Sequence, residues 1–186
     1  MATPNGNPDV ADQNNHVGNP EKKPLTLITL RSSDGHIFSV PENAAVLSIT
    51  LNNLVEDGCA GNIIPVDNVD GKTLSIVLAF LNAHAEGGPL SSSSDDSAKR
   101  KFRDDFLEDE KIGVLFDVVL AANYLNIASL LELVTQKIAD RIKNKSEKCV
   151  RKLFGIENDF EPEEEEKIKR EYSWCWEGID SDDTVY

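Results

Sequence analysis

Apolar and polar positions alternate at the start of the patterned part of the chain and then change period. Residues 25–40, LTLITLRSSDGHIFSV, hold two β-rich runs on either side of Ser33-Asp34-Gly35, and Asp-Gly tolerates the positive φ angles of a tight hairpin turn. Strands are predicted over 25–30 and 36–40, with a third, short one over 63–66. Pro41 interrupts β pairing and can open a helix, after which Ala45, Ile49, Leu51, Leu54 and Val55 predict two short helical pieces ending at Gly58. Leu74, Val77, Leu78 and Leu81 then fall at i, i+3, i+4 and i+7, one buried helical face. Residues 86–101 read as a flexible acidic and Ser-rich loop.

Beyond that loop every apolar pattern has helical period. Residues 112–124 are apolar over so wide an arc, including Val114, Leu115, Val118, Val119, Leu120 and Ala122, that this helix must touch neighbours on several sides. Ser129-Leu130-Leu131-Glu132 resembles a capping box, opening a helix with a Leu131, Val134, Ile138, Ile142 stripe. Ser146 starts a shorter helix lined by Val150, Leu153 and Phe154. Pro162 opens the last one: it has no N–H to leave unpaired there, and Glu163, Glu164, Glu165 and Glu166 complement the positive end of the helix dipole. Ile168, Tyr172, Cys175, Trp176 and Ile179 are expected along one flank of that helix.

Composition narrows the classes. Apolar residues make up 40% of the 186-residue chain and aromatic ones 6%, enough for an aliphatic core and too much for collagen or full disorder. The greasiest stretch, 112–125, contains Asp117 and Asn123, so no run approaches the ~18 apolar residues of a bilayer span. Residues 1–24 are Asn-, Pro- and Gly-rich, read as a disordered arm without an export or import signal. Cys59, Cys149 and Cys175 are odd in number and scattered, as reduced thiols are, and the expected location is nucleus and cytoplasm. With 33 acidic and 19 basic side chains, the net charge of −14 disfavours nucleic acid and anionic membrane as partners. Residues 157–186 carry twelve acids and three bases, a net −9, and residues 137–152 carry seven bases and two acids, a net +5. That juxtaposition reads as intramolecular screening or as a charged rim around a partner site.

No catalytic constellation is legible: there is no GxGxxG, no GxxxxGK[ST] and no HExxH. His16, His36 and His84 read as surface histidines, Cys175 as a packed side chain, and the glutamate run as a solvated helix start. Neither a cofactor nor a metal is expected. What remains is apolar surface in the second half with little further chain to cover it, the mark of a partner site.

A set of motifs then carries a family resemblance. Ser32-Ser33-Asp34-Gly35, Val55-Glu56-Asp57, Asn68-Val69, Leu115-Phe116, the run LAANYLNI at 120–127, Leu130-Leu131, Ile142-Lys143, Asn158-Asp159-Phe160, PEEEE at 162–166 and Trp174 together resemble the S-phase kinase-associated protein (Skp) adaptors of SCF ubiquitin ligases, the plant members most of all. The resemblance runs in order over 25–177. It implies an α+β chain: a BTB/POZ fold, a three-stranded sheet with surrounding helices, over 25–127, an F-box-binding helical extension over 128–177 and an acidic tail over 178–186. It implies no enzyme but a bridge between a cullin and F-box proteins, with a RING subunit reached indirectly through the cullin. Carried over residue by residue, Asn123 and Tyr124 match the cullin contact. Leu115, Phe116, Leu131, Ile138, Phe154, Ile156, Asn158 and Trp174 match the F-box contact. The alternative is a diverged BTB protein that holds F-box proteins outside a cullin ligase.

The chain departs from the family pattern at identifiable places. Ser146-Glu147-Lys148-Cys149 keeps the hydroxyl cap but lacks the first-position proline and the reciprocal carboxylate, and Glu161 stands where a threonine would cap the last helix. Phe102 sits near the family's loop-end tryptophan, one extra residue precedes Leu115-Phe116, and Gly155 and Tyr172 replace asparagines.

Overall fold

In the computed structural model, residues 26–85 and 87–179 are described. The arm expected over 1–24 lies outside them, as do residues 180–186 of the tail. Strand β1 (Leu27–Ser32) alternates as its sequence requires, burying Ile28, Leu30 and Ser32 and turning Leu27 and Arg31 outward. It is the central strand of a three-stranded sheet ordered β2-β1-β3. Antiparallel β2 (Ile37–Pro41) places Phe38 opposite Leu30, and parallel β3 (Ile63–Val66) places Ile64 opposite Leu30. The crossover to β3 runs through α1 (Glu42–Ala45), α2 (Ile49–Glu56) and a 3-10 turn (Cys59–Gly61). The expected sheet with surrounding helices is therefore the fold.

The inner sheet face packs on α3 (Gly71–His84), whose Leu74, Val77, Leu78 and Leu81 are all buried. Each fully buried Leu or Ile stabilises the core by roughly 1.5–3 kcal/mol. The hairpin is joined to α3 by one carboxylate. Gly35 adopts φ 85° at the turn, Ser32 and His36 hydrogen-bond Asp34, and Asp34 Oδ1 accepts from the Gly71 N–H at 3.0 Å. A Cβ at Gly71 would lie 2.9 Å from His36 Nδ1 and 3.2 Å from Asp34 Oδ1, so a larger residue would push these side chains aside and loosen the contact between helix and hairpin.

Past α3 the chain is helical: α4 (Asp96–Asp105), α5 (Ile112–Tyr124), α6 (Ala128–Ile142), α7 (Glu147–Phe154), α8 (Pro162–Glu171) and a 3-10 turn (Ser173–Trp176). The segment 86–101 is not all loop. Leu90 and Ser91 are buried, the Leu90 N–H bonds the Ala83 carbonyl at 2.7 Å, and Asp95 caps α4 by accepting from the Ala98 N–H. The charge-rich composition that reads as solvated is also that of an exposed helix start, and α4 buries no residue.

Two further expectations are corrected. The Ser129 capping box does not form: α6 starts at Ala128 with Ile127 at its N-cap and no side-chain cap. Ile127 is buried and its N–H bonds the Ala122 carbonyl at 2.8 Å, so apolar burial and a tight turn through Asn126 at φ 52° set the helix start instead. The last helix does not run to Ile179 but ends at Tyr172, where φ −117° and ψ 38° leave the helical region. Cys175, in the 3-10 turn that follows, is exposed and not packed.

Ser32 first, then His36 and the Gly71 N–H, hold the Asp34 carboxyl well below the usual carboxylate range. Because the folded-state value is depressed, its contribution is complete above the ordinary Asp range, about pH 4, and fades as pH falls further. Asp34→Asn should lower the melting temperature at pH 7, with the gap to wild type closing as the pH is lowered below that range in an acid series of thermal melts.

Candidate partner-docking surfaces

Helix α5 is the element from which both candidate surfaces are built. Leu115, Val118, Ala121 and Ala122 bury one side of it against α3 and α6. At its C-terminal end Asn123 and Tyr124 are exposed, the tyrosine by 40%. Leu120, one turn before Tyr124 on the same face, is 68% exposed. The turn beneath them is held from α2: Ser48 Oγ donates to the Leu125 carbonyl at 2.6 Å, Thr50 Oγ1 to the Tyr124 carbonyl at 3.3 Å, and the Ile49 N–H to the Asn126 carbonyl at 3.4 Å. Ile49, itself exposed, thus lies beside that turn. The predicted pair therefore sits on a rigid end with an apolar margin, Leu120 and Ile49, that periodicity does not reveal, because Leu120 belongs to an arc of apolar residues most of which are core.

The second surface begins at the other end of α5. Phe116 is half-buried and its ring meets that of Phe154 with centroids 5.2 Å apart, fastening α7 to α5. Leu131 and Ile138 are half-buried along α6. The chain then leaves α7 through Gly155 in the left-handed region, with the Ile156 N–H bonded to the Arg151 carbonyl at 2.8 Å, and exposes Ile156, Asn158 and Phe160 in sequence. Phe154 is 42% exposed and Trp174 68%. Leu115 is different. It is fully buried in the core, so it supports this surface from beneath and offers nothing to a partner. Phe160 and Tyr172, both exposed, extend the apolar surface beyond the sequence-predicted set.

Helix α8 buries no residue of its own and is held to α7 by charge and hydrogen bonds. Glu147, at the start of α7, accepts from Trp176 Nε1 at 3.1 Å and pairs with Lys169 at 3.5 Å. Lys169 also meets Glu165 at 3.3 Å, and Arg151 lies 3.9 Å from Glu165 and 5.8 Å from the Phe160 ring centroid. Partial burial pushes the Glu147 pKa up, but its own N–H, the Trp176 indole and Lys169 outweigh that and hold it below the usual range. Glu165 in turn raises the Lys169 pKa. The caps follow the sequence: Ser146 accepts from the Cys149 N–H at 3.2 Å, and Glu161 makes no side-chain cap ahead of Pro162. Among the described residues, no three His, Cys, Asp or Glu side chains gather as a metal-holding group, and no helix is long and apolar enough to cross a membrane.

Family comparison matches both halves of this architecture. The Skp1 family tetramerisation domain matches residues 26–86 and the Skp1 family dimerisation domain residues 128–175. The chain is 44% identical over 152 residues to SKP1-like protein 13 of Arabidopsis thaliana, covering 81% of this chain and 98% of the relative. It is 39% identical over 173 residues to SKP1-like protein 20 of Oryza sativa subsp. japonica, covering 84% and 98%. The chain belongs to the Skp1 family. Membership makes it an adaptor of the SCF type of ubiquitin ligase. In this Skp1-family chain the tetramerisation-domain match spans the sheet and α1 to α3, and the dimerisation-domain match spans α6, α7, α8 and the turn through Trp174.

The α7–α8 clasp consists of pairs with substantial solvent access, so salt screens it. Raising NaCl from about 0.05 M to about 1 M should speed hydrogen exchange at the 165–171 amides several-fold while leaving those of 118–122, inside the core, unchanged. Glu147→Gln should give the fast α8 exchange already at low salt.

Proposed function

We propose that this adaptor is bivalent through the two ends of α5: Asn123 and Tyr124, with Leu120 and Ile49 beside them, seat a cullin, and Phe116, Leu131, Ile138, Phe154, Ile156, Asn158 and Trp174 receive the apolar helices of an F-box segment. The observation that carries the reading is that Phe154 and Trp174 remain 42% and 68% exposed in a chain that has no further described element to cover them. Large rings left in water and framed by charged side chains suit a groove completed by partner helices. A tyrosine at a helix end suits the cullin contact, since a stiff ring with a polar tip gives contact area at low entropic cost.

The chain's contribution to ubiquitin transfer is distance and orientation. It forms and breaks no covalent bond itself, and the RING subunit is reached only through the cullin. Holding an F-box receptor at a fixed span from the cullin raises the effective concentration of substrate lysines near the loaded conjugating enzyme. Its scattered cysteines, Cys59, Cys149 and Cys175, are all free, which fits a reducing compartment, in keeping with a nuclear and cytoplasmic site of action.

Binding assays with an F-box segment and a cullin N-terminal domain test this directly. Changing Asn123 and Tyr124 to lysine should abolish cullin capture and leave F-box affinity within about twofold, the two surfaces being separate. Phe154→Ala or Trp174→Ala should weaken the F-box segment by roughly 30-fold, or ~2 kcal/mol, with cullin binding retained. An unmodified chain that held the F-box segment with no detectable cullin contact would instead be a diverged BTB protein acting outside a ligase.

A further inference from the structure

The linker between α4 and α5 is strained and acidic; Lys72 of α3 pairs with Glu110 at 3.6 Å, Lys137 of α6 with Glu108, and the backbone carbonyls of the turn are gripped by Arg141 of α6. Leu107 adopts φ 64°, a left-handed conformation unfavourable for a residue with a branched side chain, although that side chain is buried. Around it Asp104, Asp105, Glu108, Asp109 and Glu110 crowd five carboxylates into seven positions. Arg141, in the last turn of α6, spans this turn. Its Nη2 donates to the carbonyls of Leu107 at 2.9 Å and Glu108 at 2.6 Å, and its Nη1 donates to the carbonyl of Glu110. One turn earlier Lys137 Nζ donates to the Asp104 carbonyl at 2.8 Å and to Glu108 Oε2 at 3.0 Å, drawing the Glu108 carboxyl below its usual range. Helix α5 begins directly after this turn, and its N-cap, Lys111, makes no side-chain cap.

We propose that Arg141 is a positioning residue for the F-box-facing surface: by gripping the carbonyls of the 107–110 turn it sets where α5 begins, and so where Phe116 meets Phe154. The inference rests on the bivalent reading above. A planar guanidinium has donors on two nitrogens to reach three carbonyls at once, whereas a lysine ammonium is a single point that cannot span them. The N-terminal half of α5 leans on this grip, while the Tyr124 end is held independently from α2 by Ser48 and Thr50. Loss of the grip therefore acts on one end of the helix.

The test uses the full chain with Arg141→Ala and Arg141→Lys, and Lys143→Ala as a charge-matched control at an exposed site. Amide exchange and calorimetric binding of the F-box segment and of the cullin N-terminal domain are the readouts. Arg141→Ala should speed exchange at 108–116 and lower F-box affinity about tenfold, with cullin affinity within about twofold; Arg141→Lys should fall between, and the control should match wild type. Unchanged 108–116 exchange in Arg141→Ala overturns the proposal. So does an equal loss of both partners by Arg141→Lys, which would mark a merely structural arginine. If the unmodified chain binds neither partner, the bivalent reading fails, and the exchange data alone still show whether Arg141 sets the start of α5.

Discussion

The fold depends on the burial of one side of α5. Leu115, Val118, Ala121 and Ala122 press it between α3 and α6, and the small residues among them allow the close turn in which the Ile127 N–H reaches the Ala122 carbonyl. A helix clamped this way is a rod. Phe116 and Tyr124 stand eight positions apart on it, about 12 Å along the axis at ~1.5 Å per residue, so the two surfaces it displays cannot drift relative to each other without unpacking the core. For a protein whose contribution is orientation, hydrophobic packing of α5 is itself the functional device.

Much of this was legible in the sequence where local chemistry and tertiary packing agree. The alternation of Ile28 and Leu30, the Asp34-Gly35 turn, the Leu74 to Leu81 stripe, the Ser146 cap and Pro162 at the start of α8 all point the same way at both levels. It failed where they compete. Ser129 offers good capping chemistry, but burial of Ile127 starts the helix two positions earlier. Leu115 and Phe116 are adjacent and both apolar in an arc too wide to have a single inner face, so period alone cannot tell that the first is core and the second is half-buried against Phe154. Leu120 was missed for the same reason, and Cys175 because the helix carrying it stops at Tyr172.

Charge patterning misleads in a more instructive way. The basic stretch over 137–152 precedes the acidic tail, and sequence proximity pairs the two. Its second part does so, through Arg151 and Glu165. Lys137 and Arg141 turn back to the acidic linker before α5, more than 25 residues upstream, because α6 runs along α5 and its C-terminal turns arrive where α5 begins. The antiparallel packing of two helices thus decides which charges meet, and the apolar pattern that produces that packing comes first in the causal order.

The polar attachment of α8 has a consequence for binding. Were α8 sealed to α7 by apolar side chains, the same rings proposed to seat a partner would be consumed internally, and a partner would have to displace them. Glu147, Lys169, Glu165 and the Trp176 indole instead hold the helix by its charged edge. Phe154, Tyr172 and Trp174 stay partly exposed, by 42%, 45% and 68%. The cost is an exposed apolar surface on the free protein, and a net charge of −14 opposes the self-association such a surface invites, since like-charged copies repel before their rings can meet. Partial preorganisation by a clasp of this kind lets a partner recover the burial of those rings without first unmaking a core, which favours tight binding from a chain that is only loosely closed on its own.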